Sequence, residues 1–154
     1  MSVRCEIAVV GGAAVVLLYG AREATKDVDV LLLGHVDAVA VRLAVRRVAS
    51  RLDLPEDWLN DAAKGYVHGL ALGEVLVDEP ALRVHALAAH QLLAMKLSAW
   101  RDDVDIDDAR LLLAQLPRER EEVWSLIEPH LVPGRELKAQ LAFADLWESQ
   151  YASE

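Results

Sequence analysis

Residues 11–33, GGAAVVLLYGAREATKDVDVLLL, set two aspartates, Asp27 and Asp29, at the mouth of the most apolar run in the chain. No other feature constrains the fold as much. A short apolar run of this kind reads as a core strand. Side chains alternate along a strand, so Asp27 and Asp29 share one face and Val28 and Val30 take the other. Carboxylates spaced this way stand about 6–7 Å apart at their backbones. Buried without a partner they would be very unfavourable. Two arrangements answer this. Both acids sit solvated at an exposed strand end, or a divalent cation lies against them. Mg²⁺ suits the second, because it favours oxygen ligands and commonly uses one or two carboxylates plus substrate phosphates.

The surrounding pattern gives this strand neighbours. Residues 4–11 read as a strand ending in Gly11-Gly12. Residues 12–20 read as a helix stopped by Gly20. Glycines at a strand-to-helix turn let the backbone approach a ligand, and the helix N-terminus behind them favours an anion such as phosphate. Residues 26–33 form the aspartate strand. Residues 36–51 form a helix with Arg42, Arg46, Arg47 and Arg51 on one side and Val39, Leu43 and Val48 opposite. Residues 55–64 read as a turn with a short helix. Residues 66–77 and 81–86 read as strands joined through Asp78, Glu79 and Pro80. From residue 88 the chain reads as helical over 88–101, 105–116, 119–130 and 134–151, punctuated by Pro117, Pro129 and Pro133. The expected class is α+β, with a small mixed sheet in residues 1–87 and a helical part in 88–154.

Length and hydrophobic content, 154 residues and 54%, suit one domain with a good core. A net charge of −9 argues against a broad basic surface for nucleic acid. It leaves room for a nucleic-acid end held in a locally positive cleft. Cys5 is the only cysteine, which suits a reducing cytosol. The apolar run 7–20 is too short to span a bilayer. Glu6 also interrupts the basic start a secretory signal needs. A soluble cytoplasmic protein with no membrane partner is expected.

The motif GGAAxxLxYGxREATKDVDV resembles the first motif of the nucleotidyltransferase superfamily. The match is to the bacterial branch related to the AbiEii and MenT toxins of toxin–antitoxin systems, where a Gly-Gly helix precedes an (S/T)-x-D-x-D strand. PEDWLNDAAKGY and LRVHALAAHQLLAMKLSAWRDDVDIDDARLLL are similar to that branch's middle and C-terminal motifs, so the resemblance spans most of residues 7–116. It implies a nucleotidyltransferase core acting on a nucleoside triphosphate with Mg²⁺ or Mn²⁺. It further implies a tRNA 3′ end as acceptor and an antitoxin protein as partner. Carried over residue by residue, Gly11 and Gly12 line the triphosphate and Thr25 takes the Ser/Thr position. Asp27 and Asp29 hold the metal, and Lys96 contacts the phosphates. Asp105 and Asp108, or Asp107 in a shifted alignment, form the acidic pair after that lysine. The implied catalytic set is Asp27, Asp29, Lys96 and Asp108. Gly11, Gly12, Arg22, Thr25, Lys96 and Asp105 would bind the nucleotide.

Each of these residues also has a plainer reading. Lys96 lies three or four residues from Leu92, Leu93 and Trp100, so its stem can snorkel along the core with its head in water. Asp105, Asp107 and Asp108 start a helix, where carboxylates cap free N–H groups. Arg22, just before the metal strand, either reaches phosphate or pairs with a surface acid such as Glu23. The Arg42–Arg51 row fits a solvated helix face as well as an RNA backbone. Classical members of the superfamily have Gly-Ser where this chain has Gly-Gly, and they add a third carboxylate. Glu74 and Asp78 stand near such a position without a motif.

Two functional classes follow. One is metal-dependent nucleotidyl transfer to a hydroxyl of tRNA, of a protein side chain or of a small molecule. The other is a catalytically silent nucleotide-binding or regulatory module of the same fold.

Overall fold

The computed structural model describes residues 4–20 and 27–151. The architecture is α+β, as expected. Strand β1 (Cys5–Val10) runs directly into helix α1 (Gly11–Tyr19), and β2 (Val28–Leu33) precedes α2 (Ala38–Leu52). A two-residue β3 (Leu59–Asn60), a 3₁₀ turn (Ala62–Tyr66) and the hairpin of β4 (Leu72–Glu79) and β5 (Leu82–Leu87) follow. The helical half comprises α3 (Ala89–Ala99), α4 (Asp103–Leu113), α5 (Arg120–Ile127) and α6 (Glu136–Tyr151).

The sheet order is β3-β2-β1-β5-β4. β1 pairs antiparallel with β2 and parallel with β5, so it is hydrogen-bonded on both edges. That explains its composition, because Ala8, Val9 and Val10 are buried on both faces of the sheet. β2 pairs parallel with β3, Val28 opposite Leu59 and Asp29 opposite Asn60. β4 and β5 are antiparallel, with register irregularities between Leu72 and Val77.

α3 is the central rod of the helical half. It is buried without interruption from Gln91 to Ser98, and α4, α5 and α6 all pack on it. Leu92, Leu93 and Leu97 meet Leu112, Leu113, Ile127 and Leu146 in one core. Each such side chain stabilises the fold by about 1.5–3 kcal/mol on burial. Trp124 of α5 meets Phe143 of α6 with ring centroids 5.2 Å apart, and the aromatic chain continues along α6 through Trp147 and Tyr151 at 5.8 and 4.7 Å. None of the described helices is long and apolar enough to cross a membrane.

Three local expectations change. The segment 55–64 contains a strand, β3, which is too short to carry an alternating pattern. Asp78 and Glu79 belong to β4, leaving Pro80-Ala81 as the turn. Asp78 is held there by ion pairs with Arg83 and Arg4. α4 begins at Asp103, and its cap is Asp102, whose carboxylate accepts the Asp105 N–H at 3.1 Å. Asp105 and Asp108 are therefore not capping residues.

Candidate active site: a basic cleft against Asp29

The register of β1 and β2 places Val10 opposite Asp29. The turn from β1 into α1 consequently lies beside that carboxylate. Gly11 has φ +66°, a left-handed conformation that favours glycine, and a Cβ there would stand 3.6 Å from Asp29 Oδ2. Glycine thus keeps the space before Asp29 open. No described side chain caps the start of α1, so among the described residues its first N–H groups have no side-chain acceptor.

Asp29, Gly11 and Gly12 form one wall of a cleft of about 410 Å³, a volume within the usual range for small-molecule sites. The 3₁₀ turn supplies Tyr66, α3 and the turn after it supply Lys96 and Arg101, and the first turn of α6 and the residue before it supply Lys138 and Arg135. Asp29 is the one acid on this described lining, against four cations. In a chain of net charge −9, that is a local concentration of positive charge.

The middle motif now has a structural role. Asn60 Oδ1 accepts the Ala62 N–H at 2.9 Å and its amide donates to the Asp57 carbonyl. This turn starts the 3₁₀ segment and so carries Tyr66 to the cleft. Gln91, fully buried on α3, accepts the Ala71 N–H at 2.7 Å and donates to the Gly69 carbonyl at 3.0 Å. It pins the loop that follows Tyr66.

Beneath the cleft lies an ionic network whose acids are buried. Lys96 Nζ stands 2.8 Å from Asp108 Oδ2 and 3.2 Å from Asp105 Oδ1. Asp105 Oδ2 also accepts the Arg101 backbone N–H at 2.9 Å and its Nε–H at 3.0 Å. Trp100, at φ 38°, makes the left-handed turn that brings the Arg101 backbone back over Asp105. Burial pushes the Asp105 carboxyl up, but the bonds from Arg101 and the Lys96 charge outweigh it and hold it below the usual range. The same bonds raise the Arg101 guanidinium.

Asp29 behaves oppositely. Burial and the neighbouring Asp27 charge raise its carboxyl above the ordinary value, while Arg101 pulls it down. Asp27 itself precedes β2 and is exposed. A carboxyl raised by burial and by a neighbouring acid is relieved by a cation beside it. Among the described residues no group of three or more His, Cys, Asp or Glu side chains can hold a metal. The donor set fits a hard ion such as Mg²⁺ held by one or two carboxylates and completed by water or phosphate oxygens. It does not fit a fully protein-ligated ion.

Of the sequence-derived residues, Gly11, Gly12, Asp29 and Lys96 converge on the cleft, with Asp27 at the start of the same strand. Asp105 and Asp108 lie behind Lys96 rather than on the lining, and both are buried. Asp107 is exposed, as is Glu74. Arg22 and Thr25 lie outside the described residues. Sequence reasoning missed Tyr66, Arg101, Arg135 and Lys138. Arg101 carried a signal, since it lies within the motif that holds Lys96. Arg135 and Lys138 carried none, because they reach the cleft only through the packing of α6 on α3.

No protein-family model matches the chain, and neither the curated proteins nor the solved structures gave a match.

Proposed function

We propose that the chain is a nucleotidyltransferase that binds a nucleoside triphosphate in this cleft and passes the nucleoside monophosphate to an acceptor hydroxyl. One observation carries the reading. A glycine-lined helix start, a carboxylate raised by burial and by its neighbour, and four cations face one nucleotide-sized space. The glycine turn and the α1 N–H groups would receive phosphate oxygens. Asp27 and Asp29 would hold Mg²⁺ or Mn²⁺, which when bound offsets the phosphate charge. The cationic wall stabilises the charge that develops as the acceptor oxygen bonds to the α-phosphorus and pyrophosphate leaves.

The motif resemblance favours a tRNA 3′ end as acceptor, in a cytoplasmic toxin restrained by an antitoxin. A protein hydroxyl or a small molecule is the alternative acceptor. The test is transfer of label from each α-³²P nucleoside triphosphate, with Mg²⁺, into a mixture of total RNA and protein. Label on small RNA supports the tRNA reading, and label on protein redirects it to nucleotidylylation. Incorporation that persists in Asp29→Asn sinks the assignment.

A binding module without transfer is the second reading. It is favoured by the Lys96 ammonium being engaged by two carboxylates, and by the single acid on the described lining. Nucleotide binding with no incorporation into RNA or protein would select it.

A further inference from the structure

The cleft's four cations are not equivalent. Lys96 and Arg101 face Asp105 and Asp108, and the charges of those four groups sum to zero. Lys96 has no surplus charge to offer a ligand. Arg135 and Lys138 differ. Arg135 Nη1 donates to the Ser98 carbonyl at 3.2 Å, and its guanidinium lies 5.5 Å from the centre of the Tyr66 ring. Both partners are neutral. Lys138 is exposed in the first turns of α6, and no ion pair joins it to a described residue. Among the described residues these are the cleft cations that no acid pairs.

A nucleoside triphosphate carries its excess negative charge on the β- and γ-phosphates. Cations already neutralised by buried acids gain little from meeting it, whereas uncompensated ones gain the full charge-assisted bond. We propose that Arg135 and Lys138 form the subsite for the polyphosphate tail of the nucleotide, and that Lys96 acts as the post on which Asp105, Asp108 and Arg101 are positioned. The proposal rests on the nucleotide reading of the cleft. It gives α6 a direct part in the site. Arg135 is fixed for the task by the Ser98 carbonyl and the Tyr66 ring, so little side-chain freedom is lost when phosphate arrives. Lys138 supplies the second, mobile charge.

The experiment is calorimetric titration, with Mg²⁺ present, of ATP, GTP, CTP, UTP, AMP and inorganic tripolyphosphate into the full chain. It compares wild type with Lys138→Ala, Arg135→Ala and Arg47→Ala. Arg47 is an exposed cation on α2, away from the cleft lining. Lys138→Ala and Arg135→Ala should each weaken the preferred triphosphate and tripolyphosphate by about tenfold or more. AMP, which lacks the tail, should bind the variants as it binds wild type, and Arg47→Ala should match wild type throughout. Lys138 is exposed, so its variant tests the proposal even if Arg135→Ala is unstable. A wild type that binds a triphosphate as tightly as both cleft variants do overturns the subsite and leaves the nucleotide reading standing. Equal weakening by Arg47→Ala overturns it too, since general attraction then explains the loss. A wild type that binds neither triphosphates nor tripolyphosphate overturns the nucleotide reading itself.

Discussion

Lys96 Nζ stands 2.8 Å from Asp108 Oδ2, on side chains that are 9% and 0% exposed. A charge pair this dry is weak support for stability as a pair, yet removing one member leaves the other buried charge short of compensation. Lys96→Met should destabilise the chain by about 3–5 kcal/mol. Lys96→Met combined with Asp108→Leu should recover part of that loss, because both buried charges are then gone. Urea unfolding of the three proteins measures this. A single Lys96→Met variant as stable as wild type would show that the ammonium is not held as described.

Asp29 predicts a pH dependence of binding and an opposite one of stability. Its folded carboxyl is raised by burial and by Asp27. Ligation by metal requires the ionised form, so metal-dependent nucleotide binding should fall away with acid at a higher pH than an ordinary aspartate, near about 3.9, would give. Asp27→Asn removes the raising charge and should move the midpoint down. For stability the sign reverses. A group whose folded value is raised favours folding below its unfolded value, and that contribution is lost as pH rises through the folded value. Asp29→Asn should therefore raise the melting temperature of the ligand-free chain at neutral pH while abolishing Mg²⁺-dependent binding. Melting and nucleotide titration on the same pH series check both signs.

Gly11→Ala tests the turn into α1. The left-handed conformation at φ +66° costs an alanine about 1–2 kcal/mol. The new Cβ would meet Asp29 Oδ2 at 3.6 Å, an ordinary contact. The variant should lose stability through backbone strain, visible as an earlier denaturant midpoint with an unchanged slope. An unchanged midpoint would contradict the assigned backbone.

Gln91→Leu tests the clamp on the loop beyond Tyr66. It removes the 2.7 Å bond from Ala71 and the 3.0 Å bond to Gly69 while keeping an apolar body of similar size. A loss of about 1–3 kcal/mol is expected. Amide exchange at Ala71 should quicken more than exchange in α5 if the clamp acts locally.

The elements easiest to read were those in which one short segment carries its own explanation. A strand ending in Gly-Gly, a helix ending at Gly20 and an acid-led apolar strand follow from alternation and turn chemistry. They appear as β1, α1 and β2. β3 was not legible, because two residues show no period and exist as a strand only through pairing with Val28 and Asp29. The start of α4 was misplaced for a related reason. Five aspartates, Asp102, Asp103, Asp105, Asp107 and Asp108, all suit a helix start by type. Only the bond from Asp105 N–H to Asp102 selects the cap.

Local chemistry along the chain was enough to nominate Gly11, Gly12, Asp29 and Lys96, since each is unusual for its own strand or helix. What it could not reveal is which charges cancel. Lys96 reads as a free cation until α4 brings Asp105 and Asp108 against it. Arg135 and Lys138 read as surface residues until α6 packs on α3 and carries them to the cleft. Charge compensation depends on distances between segments far apart in the chain. Those distances are set by packing of the whole core, not by any local pattern.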